Sequence, residues 1–140
     1  MRLHIVARGR IGRSPEAELT TRYLDRIRWP TAVTELPDRG GAHPLVPART
    51  ITVGLSEEGA LWSSTELADR LGAWRDDGVA EARFVLGAAD GLSAEERAAT
   101  DHLLSFGRAT WPHLLARAML AEQLYRATAI RAGHPYHRDG

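Results

Sequence analysis

Short β-prone runs alternating with segments of helical period predict an α/β fold, a mainly parallel sheet with helices on both faces. Two observations carry that reading. Runs at 3–7, 31–36, 50–55, 82–86 and 103–106 have strand length and strand composition. Hydroxyl residues stand where the intervening helices should begin: Ser14 before Pro15, Ser63 three before Glu66, Ser93 three before Glu96, and Thr110 just ahead of Pro112. A chain of 140 residues suits one domain spanning 1–140, long enough to bury a core without disulfides or metal.

In chain order, the run 3–7 leads into ARGRIGRSPEAEL, where Gly9 and Gly12 break the pattern and Ser14 opens a helix. Leu19, Tyr23 and Ile27 recur every four residues and predict one buried face, ending before Pro30. A second strand spans 31–36. Residues 38–49 carry two glycines and two prolines and read as loop. The third strand, 50–55, is followed by a turn at 56–59. A helix capped by Ser63 then buries Leu67, Leu71 and Trp74 and stops at Gly78. The fourth strand, 82–86, connects through a loop at 87–92 to a helix capped by Ser93.

The last third organises the rest. After the run 103–106 and a turn, a helix over 113–131 carries Leu114, Leu115, Met119, Leu120, Leu124, Tyr125 and Ile130 around most of its circumference. Such a helix needs cover on several sides, and a second copy of the chain, in a homodimer, is the economical cover. Gly133 ends it, and the tail His134-Pro135-Tyr136-His137-Arg138 is rich in aromatic and donor groups.

Composition removes several function classes. Cysteine is absent, which excludes disulfides, thiolate nucleophiles and thiolate metal sites. No apolar run approaches membrane-spanning length and no secretion signal is present, which predicts a cytoplasmic protein. Charges balance at 18 basic and 18 acidic residues, yet residues 1–28 hold seven arginines against three acids, so this end is a candidate to face phosphate. Every basic residue is arginine. Planar phosphate contacts and coding bias both account for that, and coding bias is the simpler explanation.

In parallel sheets ligands bind beyond the carboxyl ends of strands. Those ends are Leu55, Gly87 and the segment Phe106, Gly107, Arg108, Ala109, Thr110, Trp111. A glycine at position 87 lets backbone approach a ligand closely; an ordinary turn glycine is the competing reading. Glu122 and Arg126 are spaced to pair on the last helix. His134 and His137 lack a third ligand, so no metal is expected. His113 reads as a helix-start residue, and His4, His43 and His102 have no chemical context.

Three stretches, FVLGAADGLS at 84–93, TWPHLLARAMLAEQLYRA at 110–127 and HPYHR at 134–138, occur in an order and spacing that resembles the ribosomal RNA large subunit methyltransferase H family of the SPOUT superfamily. That resemblance implies a trefoil-knotted fold, S-adenosylmethionine as cofactor, and methylation of N3 of a pseudouridine in helix 69 of 23S rRNA in the ribosome. It implies cofactor binding by Leu55, Gly87 and Phe106 through Trp111, and catalysis by His137, Arg138, Tyr136 and Arg126, with the tail closing over the cofactor pocket, within one chain or across a dimer. The chain departs from the family pattern at Ser56, Ala88 and Gly107 and is short between 37 and 50. Two other readings stay open: a SPOUT methyltransferase for another RNA nucleotide, and a non-catalytic ribosome- or RNA-binding protein.

Overall fold

The computed structural model describes residues 1–138; Asp139 and Gly140, within the expected 1–140 domain, lie outside the described residues. Nine elements follow in order: β1 (Arg2–Arg8), α1 (Pro15–Leu24), β2 (Thr31–Leu36), β3 (Thr50–Ala60), α2 (Ser64–Asp76), β4 (Glu81–Leu86), α3 (Ala94–Ala98), β5 (His102–Leu104) and α4 (His113–Arg131). The strands form one parallel sheet in the order β2-β1-β4-β3-β5. The sheet is central to the fold, and β4 is buried along its whole length.

The two faces of this sheet are built from different chemistry. Alternation along β1 sends Leu3, Ile5 and Ala7 to one side, where they join Phe84, Val53, Leu71, Leu120 and Leu124 in the main core. α4 packs between α1 and α2 over that face. Each fully buried leucine or phenylalanine there stabilises the fold by about 1.5–3 kcal/mol.

The opposite side receives His4, Val6 and Arg8 from β1 and Glu81, Arg83 and Val85 from β4. Val6, Val85 and Leu36 form a small apolar cluster with Leu92, and the rest is ionic. Glu81, only 2% exposed, accepts from Arg2, from Arg83 Nε at 2.8 Å and from His4 Nδ1 at 3.1 Å. His4 Nε2 meets the Thr34 hydroxyl at 2.8 Å. A charge buried this deeply persists only when paired and fully hydrogen-bonded.

α3 and the irregular segment 37–49 cover this second face. No helix or strand orders that segment, as expected. Its carbonyls are gathered instead by two arginines. Arg83 donates to the Pro44 and Leu45 carbonyls, each at 2.9 Å, and Arg8 to those of Pro37 (2.8 Å) and Gly40 (2.7 Å). Arg83 uses both terminal nitrogens, a planar fork that the single nitrogen of lysine cannot reproduce, whereas both carbonyl bonds of Arg8 come from NH1 while its Nε serves Glu96. At Arg83 the paired carbonyls therefore give arginine a structural reason beyond coding bias.

Several expected boundaries shift. α1 stops at Leu24, so Ile27 is buried beyond the helix while Leu19 and Tyr23 stay half-exposed. β3 continues to Ala60 where a turn at 56–59 was expected. Leu55 and Ala60 both pair with Leu104, so residues 56–59 bulge out of the ladder. β5 is confined to three residues. Ser63 caps α2 through the Glu66 N–H without the reciprocal bond, whereas Ser93 and Glu96 form the complete box. Thr110 does not cap α4: Pro112 is the N-cap, no side chain serves there, and the Thr110 hydroxyl bonds Glu57 instead.

Candidate functional site

A cleft of about 470 Å³ opens at the carboxyl ends of β3, β4 and β5. Leu86 and Leu104, both buried, form its floor with Leu55, Phe106 and Ala116. Seven of the eight sequence-predicted cofactor residues line it: Leu55, Gly87, Phe106, Gly107, Ala109, Thr110 and Trp111. Arg108 is exposed and does not line it.

Three loops make the walls. The loop after β4 folds into a tight turn in which the Gly91 N–H donates to the Ala88 carbonyl at 2.8 Å. Gly87 is required there by the loop itself. A Cβ at this position would lie 2.2 Å from the Gly91 carbonyl oxygen, so the loop's own return forbids a side chain. The turn reading thus holds for Gly87, which also lines the cleft.

Beyond β5, Gly107 adopts a φ of +109°, which suits only glycine. The Ser105 hydroxyl accepts from the Gly107 N–H at 3.0 Å and donates to its carbonyl at 2.9 Å, and the Trp111 indole donates to the Phe106 carbonyl at 3.3 Å. The third wall is the β3 bulge. Glu57 accepts from Thr110 at 2.9 Å on one side of the cleft, and Glu58 accepts from Arg97 of α3 at 3.2 Å on the other. Glu57, Glu58, Asp90 and Arg97 line the cleft without having been singled out from sequence, and His113, read there as a helix-start residue, lines it too. Two consecutive acids beyond the third strand were the available signal, obscured because 56–59 read as a plain turn.

Apolar floor, acidic rim and backbone-rich loops suit a ligand with a flat apolar ring and a positive charge. S-adenosylmethionine fits that description. Among the described residues, no three histidine, aspartate or glutamate side chains converge as metal ligands, and no helix is long and apolar enough to cross a membrane.

The expected catalytic residues gather elsewhere. Arg126 binds Glu122 through Nε at 2.7 Å, and its NH1 donates to His137 Nδ1 at 3.0 Å. The Tyr136 hydroxyl donates to Glu122 at 3.2 Å, while its ring stacks edge-on against Tyr125 and lies under the Arg126 guanidinium. Burial, then the Glu122 carboxylate beside it, push the Tyr136 hydroxyl up to about 12. Burial opposes the Arg126 charge, but Glu122 outweighs it and raises the guanidinium above its ordinary value. Arg138 is exposed. The tail is thus folded onto its own α4, and none of these four residues lines the cleft within one chain.

A second groove, about 770 Å³, lies between the two groups. It shares Leu104, Phe106 and Gly107 with the cleft and reaches Tyr23 and Glu122 at the tail cluster. Leu61, 68% exposed, and half-buried Leu115 and Met119 line it.

Of the remaining histidines, His43 Nε2 meets Glu96 at 2.8 Å, and His102 stacks on Trp74. Among the seven arginines of residues 1–28, Arg2 and Arg8 are engaged internally by Glu81 and Glu96, which leaves Arg10, Arg13, Arg22, Arg26 and Arg28 on the surface.

Residues 1–137 match the family described as predicted SPOUT methyltransferases. Over full length on both sides, the chain is 61% identical to the ribosomal RNA large subunit methyltransferase H of Zymomonas mobilis and 64% identical to that of Erythrobacter litoralis. Those alignments span 142 and 140 positions, so the chain has about the length of these relatives. A probable methylase family protein from Haemophilus influenzae shares the fold, with a TM-score of 0.62 at 12% identity over 99% of this chain and 70% of that one.

Proposed function

Because the chain belongs to the SPOUT methyltransferases and, within them, to the ribosomal RNA large subunit methyltransferase H family, we propose that it methylates large-subunit ribosomal RNA. The modified atom in this reading is N3 of a pseudouridine in helix 69 of 23S rRNA, in the ribosome, with S-adenosylmethionine as methyl donor. The observation that carries it is the cleft at the ends of β3, β4 and β5, assembled from seven of the residues singled out for the cofactor. Residues 1–140 then act as one knotted catalytic domain in the cytoplasm.

The active form is a homodimer. Leu61, Leu115 and Met119 leave an apolar groove open beside the cleft, and a second copy would cover it. Within one chain the tail cluster lies apart from the cleft; across a dimer, the tail of one protomer reaches the cleft of the other.

When bound, S-adenosylmethionine supplies an electrophilic methyl on a cationic sulfur. Leu55, Leu86 and Phe106 then exclude water around it, and Glu57 and Glu58 offset positive charge at the rim. The acceptor N3–H must lose its proton. Tyr136, held near 12, stays protonated at neutral pH and serves as a donor. Arg126 NH1 can only donate, so His137 Nδ1 accepts, and a neutral ring carries its proton on Nε2. In this arrangement the tail presents donors and cations. That favours release of the N3 proton to solvent, with the resulting anion stabilised by His137, Arg138, Arg126 and Tyr136, over its abstraction by His137.

The test is mass spectrometry of 23S rRNA from a strain lacking the gene, paired with methyl transfer to its ribosomes by the purified protein. A missing methyl on the helix 69 pseudouridine, restored in vitro, is expected. A missing methyl on another nucleotide would redirect the reading to a different RNA site, and no cofactor binding at all would leave a ribosome-binding protein.

A further inference from the structure

The loop joining β1 to α1, residues 9–14, is held more firmly than an exposed connection requires. Arg117 of α4, 1% exposed, reaches up beneath it. Its NH2 donates to the Gly9 carbonyl at 2.9 Å and the Arg8 carbonyl at 3.3 Å, and its NH1 to Glu35 at 2.5 Å. The same Glu35 carboxylate accepts from the Ile11 N–H at 2.9 Å, and the Ser14 hydroxyl donates to the Ile11 carbonyl at 2.8 Å. Gly9 and Gly12 take φ values of +92° and +58°, which makes the loop's path one that glycine alone adopts readily. Arg117 Nε has no partner among the described residues, so the strut is kept despite an unsatisfied buried donor.

This loop presents Arg10 and Arg13 to solvent. Neither forms an ion pair among the described residues, although Glu35 feels the charge of Arg10. The loop also touches the cleft: a Cβ on Gly9 would sit 3.1 Å from Nε2 of His113, which lines the cleft wall. Arg10 and Arg13 are therefore exposed residues of a braced loop whose first residue, Gly9, adjoins the cleft wall. Two exposed arginines on a braced loop beside a reaction cleft suit the phosphates of a polynucleotide that enters it.

We infer that Arg10 and Arg13 bind the RNA backbone next to the nucleotide being methylated, with Arg117 and Glu35 as positioning residues that set their spacing. This rests on the rRNA methyltransferase reading above. Backbone contacts of this kind fix register and orientation without reading sequence. They fall outside the cofactor contacts, so their loss acts on ribosome docking alone.

The test compares wild type, the double variant Arg10→Gln/Arg13→Gln and the rescue variant Arg10→Lys/Arg13→Lys in single-turnover methylation of ribosomes at several salt concentrations. The glutamine variant is expected to need at least about tenfold more ribosomes for half-maximal rate, with the saturated rate and S-adenosylmethionine affinity close to wild type. Its salt slope falls by about 1.4–1.8, the value for two phosphate contacts. The lysine variant restores most of the affinity, because a phosphate accepts a point charge. Unchanged ribosome dependence and salt slope in the glutamine variant, a lysine variant as weak as glutamine, or a loss of cofactor affinity would each overturn the assignment. Wild-type protein that leaves ribosomes unmethylated would instead remove the rRNA reading on which it rests.

Discussion

Ala109 is exposed on the cleft wall and supports no packing, so Ala109→Trp fills the cavity without disturbing the core. Calorimetry should show S-adenosylmethionine affinity falling by at least about tenfold, some 1.4 kcal/mol, with an unchanged melting temperature. Gly87→Val is the wrong probe of the same cleft, since the new side chain collides with the Gly91 carbonyl before it meets any ligand. At His137 the hydrogen bond from Arg126 decides the expectation. His137→Ala should lower single-turnover methylation by about 10² at every pH, keeping the shape of the pH profile; loss of the profile's acid limb would instead identify His137 as the base. Which residues lie at strand ends was readable from the sequence, because strands and caps are local patterns. That Arg83, Arg117 and Glu81 are buried was not, because their partners lie 2 to 109 positions away along the chain.

At the scale of single elements, α4 carries the clearest expectations. Its inner residues Leu120, Leu124 and Ala127 are fully buried, while Leu115 and Met119 open into the second groove. Met119→Arg places a charge where a second copy would pack and should yield monomers in analytical ultracentrifugation at micromolar concentration. Wild type sedimenting as a monomer would refute the dimer. Removal of the tail from Tyr136 onward leaves the cleft's lining intact, so cofactor affinity should stay near wild type while methyl transfer drops by about 10² or more. The helix span 113–131 was legible from its apolar residues and from Gly133. Its cap was misread, because Thr110 and Pro112 form a plausible capping pair, and a contact with Glu57, 53 residues earlier, takes the threonine away.

Across the whole molecule, acid lability follows from the ionic face. Burial lowers His4 below its ordinary 6.5, despite the opposing pull of Glu81. Burial works to raise Glu35, Glu81 and Glu96, but their hydrogen bonds from backbone and cationic groups prevail and hold all three below 4.5. In both cases the unfolded chain binds more protons, so stability is full above the unfolded value and is lost as pH falls through the folded one. Chemical denaturation should therefore show a plateau above pH 6.5, a first decline below it and a steeper one below 4.5; His4→Gln should flatten the first. The parallel sheet was legible as a whole, since alternation and loop lengths constrain topology. The difference between its two faces was not, because His4 lies 77 positions from Glu81 in the sequence and nothing local pairs them. That difference reaches into calorimetry. Unfolding hydrates polar groups from one face and hydrocarbon from the other, and the two change heat capacity in opposite directions. A chain of this length would ordinarily show an unfolding heat capacity change of about 1.7–2.1 kcal/mol/K. Here it should fall below that range, giving a broad, shallow stability curve whose cold limb lies further below freezing than an all-apolar sheet of the same size would allow.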